Sequence, residues 1–294
     1  MMSRLQALVS DVTGGDAVVV PAVAAGVLVA VASYLVGRNR GDVRVDVAMA
    51  SMAAFLFGVL LAFTIVRTRE RLALVQDLIA KGNSALFSIH QTMPVFVGPS
   101  GEQVRELVDA HLTDQIDYRL VDYHRATPSF LRLTDAVYEL DPQGPRQESV
   151  YKELVALCIA TTADRAQIEA VTEQALSPAE WTGLLLLFVL LVGLFAVLPG
   201  GTVLGALVAG VLASTLVTFL ILLRKLDRLR WHERVTIWEP TTRLFRSMGQ
   251  DPYVPREVIE SGRYRPTGRV RVVGYPAPYP IRSSKIVKVE ELAG

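Results

Sequence analysis

Four uncharged, apolar blocks interrupt a chain that otherwise alternates polar and apolar positions. They occupy residues 17–36, 47–66, 181–198 and 202–223. A helix needs about 20 apolar residues to cross the roughly 30 Å hydrocarbon core of a bilayer. One charged side chain at the bilayer centre costs about 2.5–3.5 kcal/mol, and none of the blocks contains one. The pattern therefore predicts an all-α membrane protein with four transmembrane helices.

The spacing of the blocks predicts two helical hairpins. The third and fourth blocks are separated only by a Pro-Gly-Gly turn at residues 199–201, and a loop of modest length joins the first and second. A removed signal peptide is the alternative for the first block. Its apolar run is too long for that, and Asp11 and Asp16 precede it alongside Arg4. We predict that it is a retained span.

The chain between the hairpins reads as helices. Apolar residues recur at steps of three and four directly after the second block, so we expect that helix to continue past the membrane. Further helices are predicted over roughly residues 101–125 and 147–176. The sequence Ser177-Pro-Ala-Glu180 has the pattern of a capping box that starts the third span.

The last sixty residues have a different character. A helix is predicted from Trp238 to Met248, and two short β-like runs follow at residues 269–273 and 286–289. They predict a small hairpin or an extended arm, which could wrap a neighbouring subunit; a partly disordered tail fits equally well. The resulting organisation is a first hairpin (1–66), a helical region (67–180), a second hairpin (181–234) and a tail (235–294).

Basic residues beside the spans predict the topology. Arg67, Arg69 and Arg71 follow the second span, and the fourth span is followed by five basic residues: Arg224, Lys225, Arg228, Arg230 and Arg234. The positive-inside rule places these ends in the cytoplasm. The loop between the first two spans also has a basic excess, of a single charge, which is smaller. We therefore predict a multi-pass protein of the cell (plasma or inner) membrane with cytoplasmic N and C termini.

The composition and the motifs of the sequence argue against several classes of function. The formal net charge is +1, so there is no global basic field to favour nucleic acid. The one cysteine, Cys158, excludes an internal disulfide, and the four histidines form no metal motif. The sequence contains no nucleophile elbow and no phosphate-binding loop. We expect no enzymatic activity, no cofactor and no metal.

Small residues recur every four positions in three of the spans. Such stripes allow helix backbones to approach closely in lipid. The stripes predict close packing at Gly26, Gly58 and Gly205. Their members are Ala22, Gly26 and Ala30 in the first span; Ala50, Ala54, Gly58 and Ala62 in the second; and Gly201, Gly205, Ala209 and Ala213 in the fourth.

A second row of the second span steps by four through Ser51, Phe55, Val59 and Phe63 and ends at Arg67. It has two interpretations. It is either a lipid-facing or packed row with a snorkelling arginine at the interface, or the lining of a pore. In the second case, rings from symmetry-related copies form an apolar neck that gates by dewetting. Arginines at its mouth would attract anions; the candidates are Arg67 and Arg71.

The segment from Phe55 through Gly58 to Arg67 resembles the second span of bestrophins. Those anion channels carry an F-x-x-G-F pattern followed by an arginine eight residues later. Here Val59 replaces the second aromatic residue, and Ser51 stands where bestrophins have an aliphatic one. The overall layout is similar to that of bacterial bestrophin-like membrane proteins. The resemblance implies a homopentamer with the second span lining its axis. No acidic run follows the fourth span, so we expect no calcium clasp.

These features are compatible with two alternative functions. The first is a passive, oligomeric ion channel, anion-permeable, with an apolar neck from the second span; its partners would be the bilayer, further copies of the chain and inorganic anions. The absence of charges within the spans favours passive conduction over coupled transport. The alternative is a non-conducting membrane scaffold or signalling protein whose cytoplasmic helices bind a partner.

Overall fold

The computed structural model describes residues 16–39, 47–197, 202–229 and 237–292. The α-helices are α1 (Asp16–Asn39), α2 (Val47–Thr92), α3 (Pro99–Asp117), α4 (Thr127–Tyr138), α5 (Pro145–Glu173), α6 (Pro178–Val197), α7 (Val203–Asp227), α8 (Glu239–Ser247) and α9 (Arg256–Glu260). The strands are β1 (Tyr253–Pro255), β2 (Gly268–Gly274) and β3 (Ile286–Leu292). Short 3-10 helices span Met93–Val95 and Leu120–Ala126.

The prediction of four membrane-spanning helices is confirmed. Helices α1, α2, α6 and α7 contain the described residues of the four apolar blocks apart from Thr202, and each is long and apolar enough to cross a bilayer. Helix α2 is unbroken over 46 residues and continues well beyond its apolar block, as predicted. The Pro-Gly-Gly turn, most of the loop between the first two spans, and Arg230 and Arg234 lie outside the described residues.

The chain divides into two compact units, each built from two separate stretches of sequence. The first, here called the membrane unit, comprises Met1–Arg71 and Ala175–Arg230. The second, here called the insert unit, comprises Leu72–Gln174 and Trp231–Gly294. The tail that follows the fourth span therefore belongs to the same unit as the helical insert.

In the membrane unit, α1 packs most extensively against α7 and also lies against α6. Gly26 and Gly210 meet where α1 and α7 cross. A Cβ atom added at Gly26 would lie 2.7 Å from the Gly210 carbonyl oxygen, and one added at Gly210 would lie 2.8 Å from that of Gly26. The Ser214 hydroxyl donates a hydrogen bond to the Ala22 carbonyl at 2.9 Å. Small residues are needed here because only they let the two backbones touch.

Glycine at position 26 is therefore predicted to be essential for this crossing. Gly26→Ala should destabilise the protein by about 1–3 kcal/mol, because the two backbones must separate to admit the methyl group. Thermal unfolding in detergent, followed by fluorescence-detected gel filtration, measures the effect. Gly58→Ala is the matched control, since a Cβ atom at Gly58 meets no described atom within 4 Å. Equal melting temperatures for the two variants would contradict the prediction.

The apolar core of the membrane unit joins α2 to α6 and α7. Phe57 and Leu61 of α2 pack in one cluster with Leu184 and Leu191 of α6 and Leu223 of α7. These residues are almost fully buried although the rest of each span is rich in exposed apolar side chains. The cluster fixes which face of α2 is turned toward its own protomer.

The insert unit combines helices with a three-stranded sheet of order β1-β2-β3. Strands β2 and β3 form the antiparallel hairpin predicted from the two β-like runs, with Val270 opposite Glu290. The three-residue β1, which the sequence pattern did not predict, pairs in parallel with β2. The helix predicted over residues 101–125 is shorter than expected: α3 ends at Asp117 because Tyr118 takes an extended backbone conformation.

Ion pairs and hydrogen bonds fasten the tail to α3. Arg271 donates two hydrogen bonds to the carboxylate of Asp109, at 2.8 and 2.7 Å. The buried carboxylate of Asp117 accepts hydrogen bonds from Tyr253 at 2.7 Å and from Lys285 at 2.8 Å. The interpretation of the tail as partly disordered is thus wrong for its described residues, which fold onto the insert of the same chain.

A buried polar cluster occupies the centre of the insert unit. The guanidinium of Arg165 lies between the rings of Tyr123 and Phe130, 4.5 and 4.9 Å from their centroids. It also lies 3.3 Å from Nε2 of His111, whose Nδ1 is 2.9 Å from the Ser129 hydroxyl. Because that hydroxyl donates to the Ala126 carbonyl and Arg165 is always a donor, His111 is neutral with its proton on Nδ1.

The stability of the insert unit should fall as the pH falls below neutrality. Burial, reinforced by Arg165, lowers the pKa of His111 to about 3, whereas an unfolded histidine has a pKa of about 6.5. Between these values the unfolded chain binds the extra proton, so folding weakens by up to roughly 1.4 kcal/mol per pH unit. We expect thermal scans at pH 7.5 and pH 5 to show this loss in the wild type and much less of it in His111→Asn. His124 is exposed, so His124→Asn should lose as much stability between pH 7.5 and pH 5 as the wild type. If the two variants behaved equally, the pH dependence could not be assigned to His111.

Candidate pore-lining row and the charged end of the membrane unit

Helix α2 has two opposite faces within the membrane unit. Its inner face, which includes Phe57, Leu61 and Thr64, is buried against the protomer. Phe55 lies two residues before Phe57, which corresponds to about 200° around the helix. The row predicted from the sequence therefore points directly away from the protomer's own core.

The members of that row are exposed along its length. Phe55 is 69% exposed, Val59 36% and Phe63 73%, and Ser51 is exposed as well. The three apolar members span about 12 Å along the helix axis. An apolar strip of this kind faces lipid, or it faces other copies of the chain across a shared axis. The structure thus brings the four predicted pore-lining residues together on one surface.

The two predicted mouth arginines differ in their surroundings. The side chain of Arg67 is 60% exposed and continues the row, and its Nη1 lies 2.6 Å from Oε1 of Glu180. Arg71 is only 9% exposed. It faces the interior of the membrane unit and holds the unit together, so its guanidinium does not border the row.

Glu180 also caps the start of α6. Its Oε2 accepts the backbone N–H of Ser177 at 2.8 Å, and the Ser177 hydroxyl accepts the backbone N–H of Glu180 at 3.2 Å. This reciprocal pair is the predicted capping box. One carboxylate therefore serves two purposes: it begins the third span, and it offsets part of the positive charge of Arg67.

Asp227 at the end of α7 connects three helices of the membrane unit. Its carboxylate accepts the backbone N–H of Leu176 at 2.8 Å and Nε1 of Trp181 at 3.4 Å. Nη1 of Arg71 lies 3.6 Å from the carboxylate and donates to the Asp227 carbonyl oxygen at 3.0 Å. The middle of α2, the end of α7 and the residues that lead into α6 are thus joined at one point.

The sequence did not indicate the role of Asp227 or the contact between Glu180 and Arg67. Asp227 lies within a basic run, and that run was interpreted only as a topology signal. A carboxylate between Lys225 and Arg228 was the available clue, because a buried arginine needs a nearby anionic partner. Glu180 was recognised as a cap, but its contact with Arg67, 113 positions earlier, was not apparent from local spacing.

The predicted packing glycines have different environments. Gly26 lies at the α1–α7 crossing described above. Gly205 is half-buried, beside a fully buried set on the same helix: Ala206, Ala209, Gly210 and Ala213. Gly58 is exposed on α2 and meets nothing within 4 Å. Among the described residues there is also no cluster of three or more His, Cys, Asp or Glu side chains that could hold a metal ion.

The extent of the spans agrees with a comparison to known proteins. A family model described as the bestrophin-like domain matches residues 18–229. The chain belongs to the bestrophin-like family. The match runs from α1 to the residues directly after α7, so it includes all four spans and the helical insert of this bestrophin-like protein.

A solved structure has the same fold. The bestrophin-like protein matches a chain described as the crystal structure of a membrane protein, with a TM-score of 0.62 and 11% identity. The alignment covers 78% of the bestrophin-like protein and 98% of the solved chain. At this identity the likeness concerns the fold alone. No curated protein matches the sequence.

Proposed function

We propose that this bestrophin-like protein is a passive, oligomeric channel permeable to anions, with α2 lining the axis. The observation that carries the proposal is the exposed row from Ser51 to Phe63, which faces away from the protomer and ends at Arg67. Membership of the bestrophin-like family supports the proposal.

In the proposed assembly, copies of α2 surround a common axis. Phe55, Val59 and Phe63 form successive apolar rings, and a neck of this kind blocks ions when it dewets. The exposed guanidinium of Arg67 raises the local anion concentration at one mouth. The apolar block of α2 contains no charged side chain that could take part in proton coupling. Conduction is therefore passive, and the expected assembly is the homopentamer that family resemblance implies.

The decisive experiment measures chloride flux from liposomes that contain purified protein. Phe55→Ala removes the ring substituents and should raise the flux severalfold, because a wider neck wets more readily. Phe219→Ala is the matched control: Phe219 is 41% exposed, but on α7, and its loss should leave flux unchanged.

Two outcomes would overturn the proposal. One is flux at background in both the wild type and Phe55→Ala, which would favour the scaffold function. The other is a monomer by native mass spectrometry in detergent and in nanodiscs, since a single copy of α2 encloses no axis.

A further inference from the structure

A pocket of about 530 Å³ lies between α6 and α7 at the charged end of the membrane unit. Leu185, Phe188 and Leu220 form its apolar wall, and Trp181 of α6 also lines it. Arg224 and Arg228 line the same pocket. Pockets that hold small molecules measure about 300–1,000 Å³, so this one is large enough for a ligand.

Arg224 lies in the last turn of α7, Arg228 directly follows the helix, and both are exposed. Among the described residues, no carboxylate forms an ion pair with either guanidinium. Asp227 also lines the pocket, but its carboxylate is occupied by Leu176, Trp181 and Arg71. The pocket therefore presents two positive charges that are available to a ligand.

The apolar wall continues into the bilayer-spanning part of the unit. Leu185 is 47% exposed, and its neighbours Leu186 and Val189 on α6 are also exposed. A ligand that complements the whole pocket needs an anionic group for the arginines and a hydrocarbon chain for the wall. A free inorganic anion satisfies only the first of these needs.

We propose that the pocket binds an anionic phospholipid, with its phosphate at Arg224 and Arg228 and an acyl chain along Phe188 and Leu220. Basic pockets between helices at the cytoplasmic surface are suited to such headgroups. The basic residues that follow the second and fourth spans place this end of α7 in the cytoplasmic leaflet by the positive-inside rule. Trp181 has the amphipathic ring that is common at this depth.

The pocket contains its own reporter, because bromine atoms on an acyl chain quench tryptophan fluorescence on contact. The full-length protein is reconstituted in phosphatidylcholine liposomes with increasing fractions of brominated phosphatidylglycerol or, separately, brominated phosphatidylcholine. Subtracting the signal of Trp181→Phe isolates the quenching of Trp181 from that of the other tryptophans. We expect half-maximal quenching at a roughly 10- to 30-fold lower mole fraction of the anionic lipid, from about 1 kcal/mol for each arginine.

Arg224→Gln/Arg228→Gln should shift the phosphatidylglycerol curve onto the phosphatidylcholine curve. The control Arg38→Gln/Arg69→Gln removes the same charge from exposed positions on α1 and α2 and should leave the curve in place. Both variants alter exposed side chains, and gel filtration verifies that each remains folded.

Three results would overturn the proposal. Coincident curves for the two lipids in the wild type would show that there is no headgroup preference. Full competition by soluble glycerol phosphate would show that the pocket takes the anion without a chain. A wild type without lipid preference, together with a smaller assembly in the Arg224→Gln/Arg228→Gln variant, would show that a second copy of the chain occupies the pocket.

Discussion

Replacing Asp227 with alanine should destabilise the membrane unit by about 3–5 kcal/mol. Asp227 and Arg71 are only 8% and 9% exposed. Without the carboxylate, the Arg71 guanidinium stays buried and uncompensated, and the backbone N–H of Leu176 loses its acceptor. Thermal unfolding in detergent should show the loss as a melting temperature lower by roughly 10 °C.

A second substitution distinguishes the buried charge from a simple loss of packing. Adding Arg71→Met to Asp227→Ala removes the unpaired charge and should restore part of the lost stability. Asp77→Ala serves as the control, because Asp77 pairs with Lys81 at the surface, where both side chains are 58% exposed. Pairs that are this exposed contribute little to stability because solvent screens them. If Asp227→Ala were no more harmful than Asp77→Ala, the role of Asp227 described above would be wrong.

Neutralising Glu180 should increase anion flux through the proposed channel. Glutamine also completes a capping box, so Glu180→Gln keeps the start of α6 intact while it removes the negative charge 2.6 Å from Arg67. Arg67→Gln should act in the opposite direction. Each change is expected to alter chloride flux by roughly two- to tenfold, because charge at a mouth sets the local anion concentration.

The effect should weaken at high ionic strength, where exposed charges are screened. Glu153→Gln makes the same substitution at an exposed position of α5, in the insert unit, and should leave flux unaltered. A shift in the same direction for Glu180→Gln and Arg67→Gln would contradict an electrostatic role of this pair.

The spans were predictable because bilayer thickness imposes a length and a composition that few other environments require. The first and second spans begin within one residue of α1 and α2. The capping box at Ser177 and the β2–β3 hairpin were predictable for a similar reason, since both depend on residues close together in sequence. Strand β1 was not, because its three residues carry no periodicity and pair only through contact with β2.

Contacts between distant residues account for what the sequence did not indicate. The Gly26–Gly210 crossing, Arg71–Asp227 and Arg67–Glu180 each join residues more than 100 positions apart. The row on α2 was recognisable from its four-residue step. Its orientation away from the core was not, because the opposite face, with Phe57 and Leu61, is equally apolar.

The division of each unit between two stretches of sequence has a consequence for biosynthesis. The core of the insert unit contains Leu154 from α5 and also Val254 and Val272 from the tail, with the second hairpin between them in the sequence. A ribosome adds about 5–20 residues per second. The strands of the sheet are therefore synthesised roughly 5–20 s after α5 emerges, and until then the helices of the insert unit lack them. During that interval their apolar faces are uncovered while the third and fourth spans enter the bilayer. We expect chaperones to bind nascent chains that are stalled before β1. This binding should be lost once β2 has emerged, which would support this order of assembly.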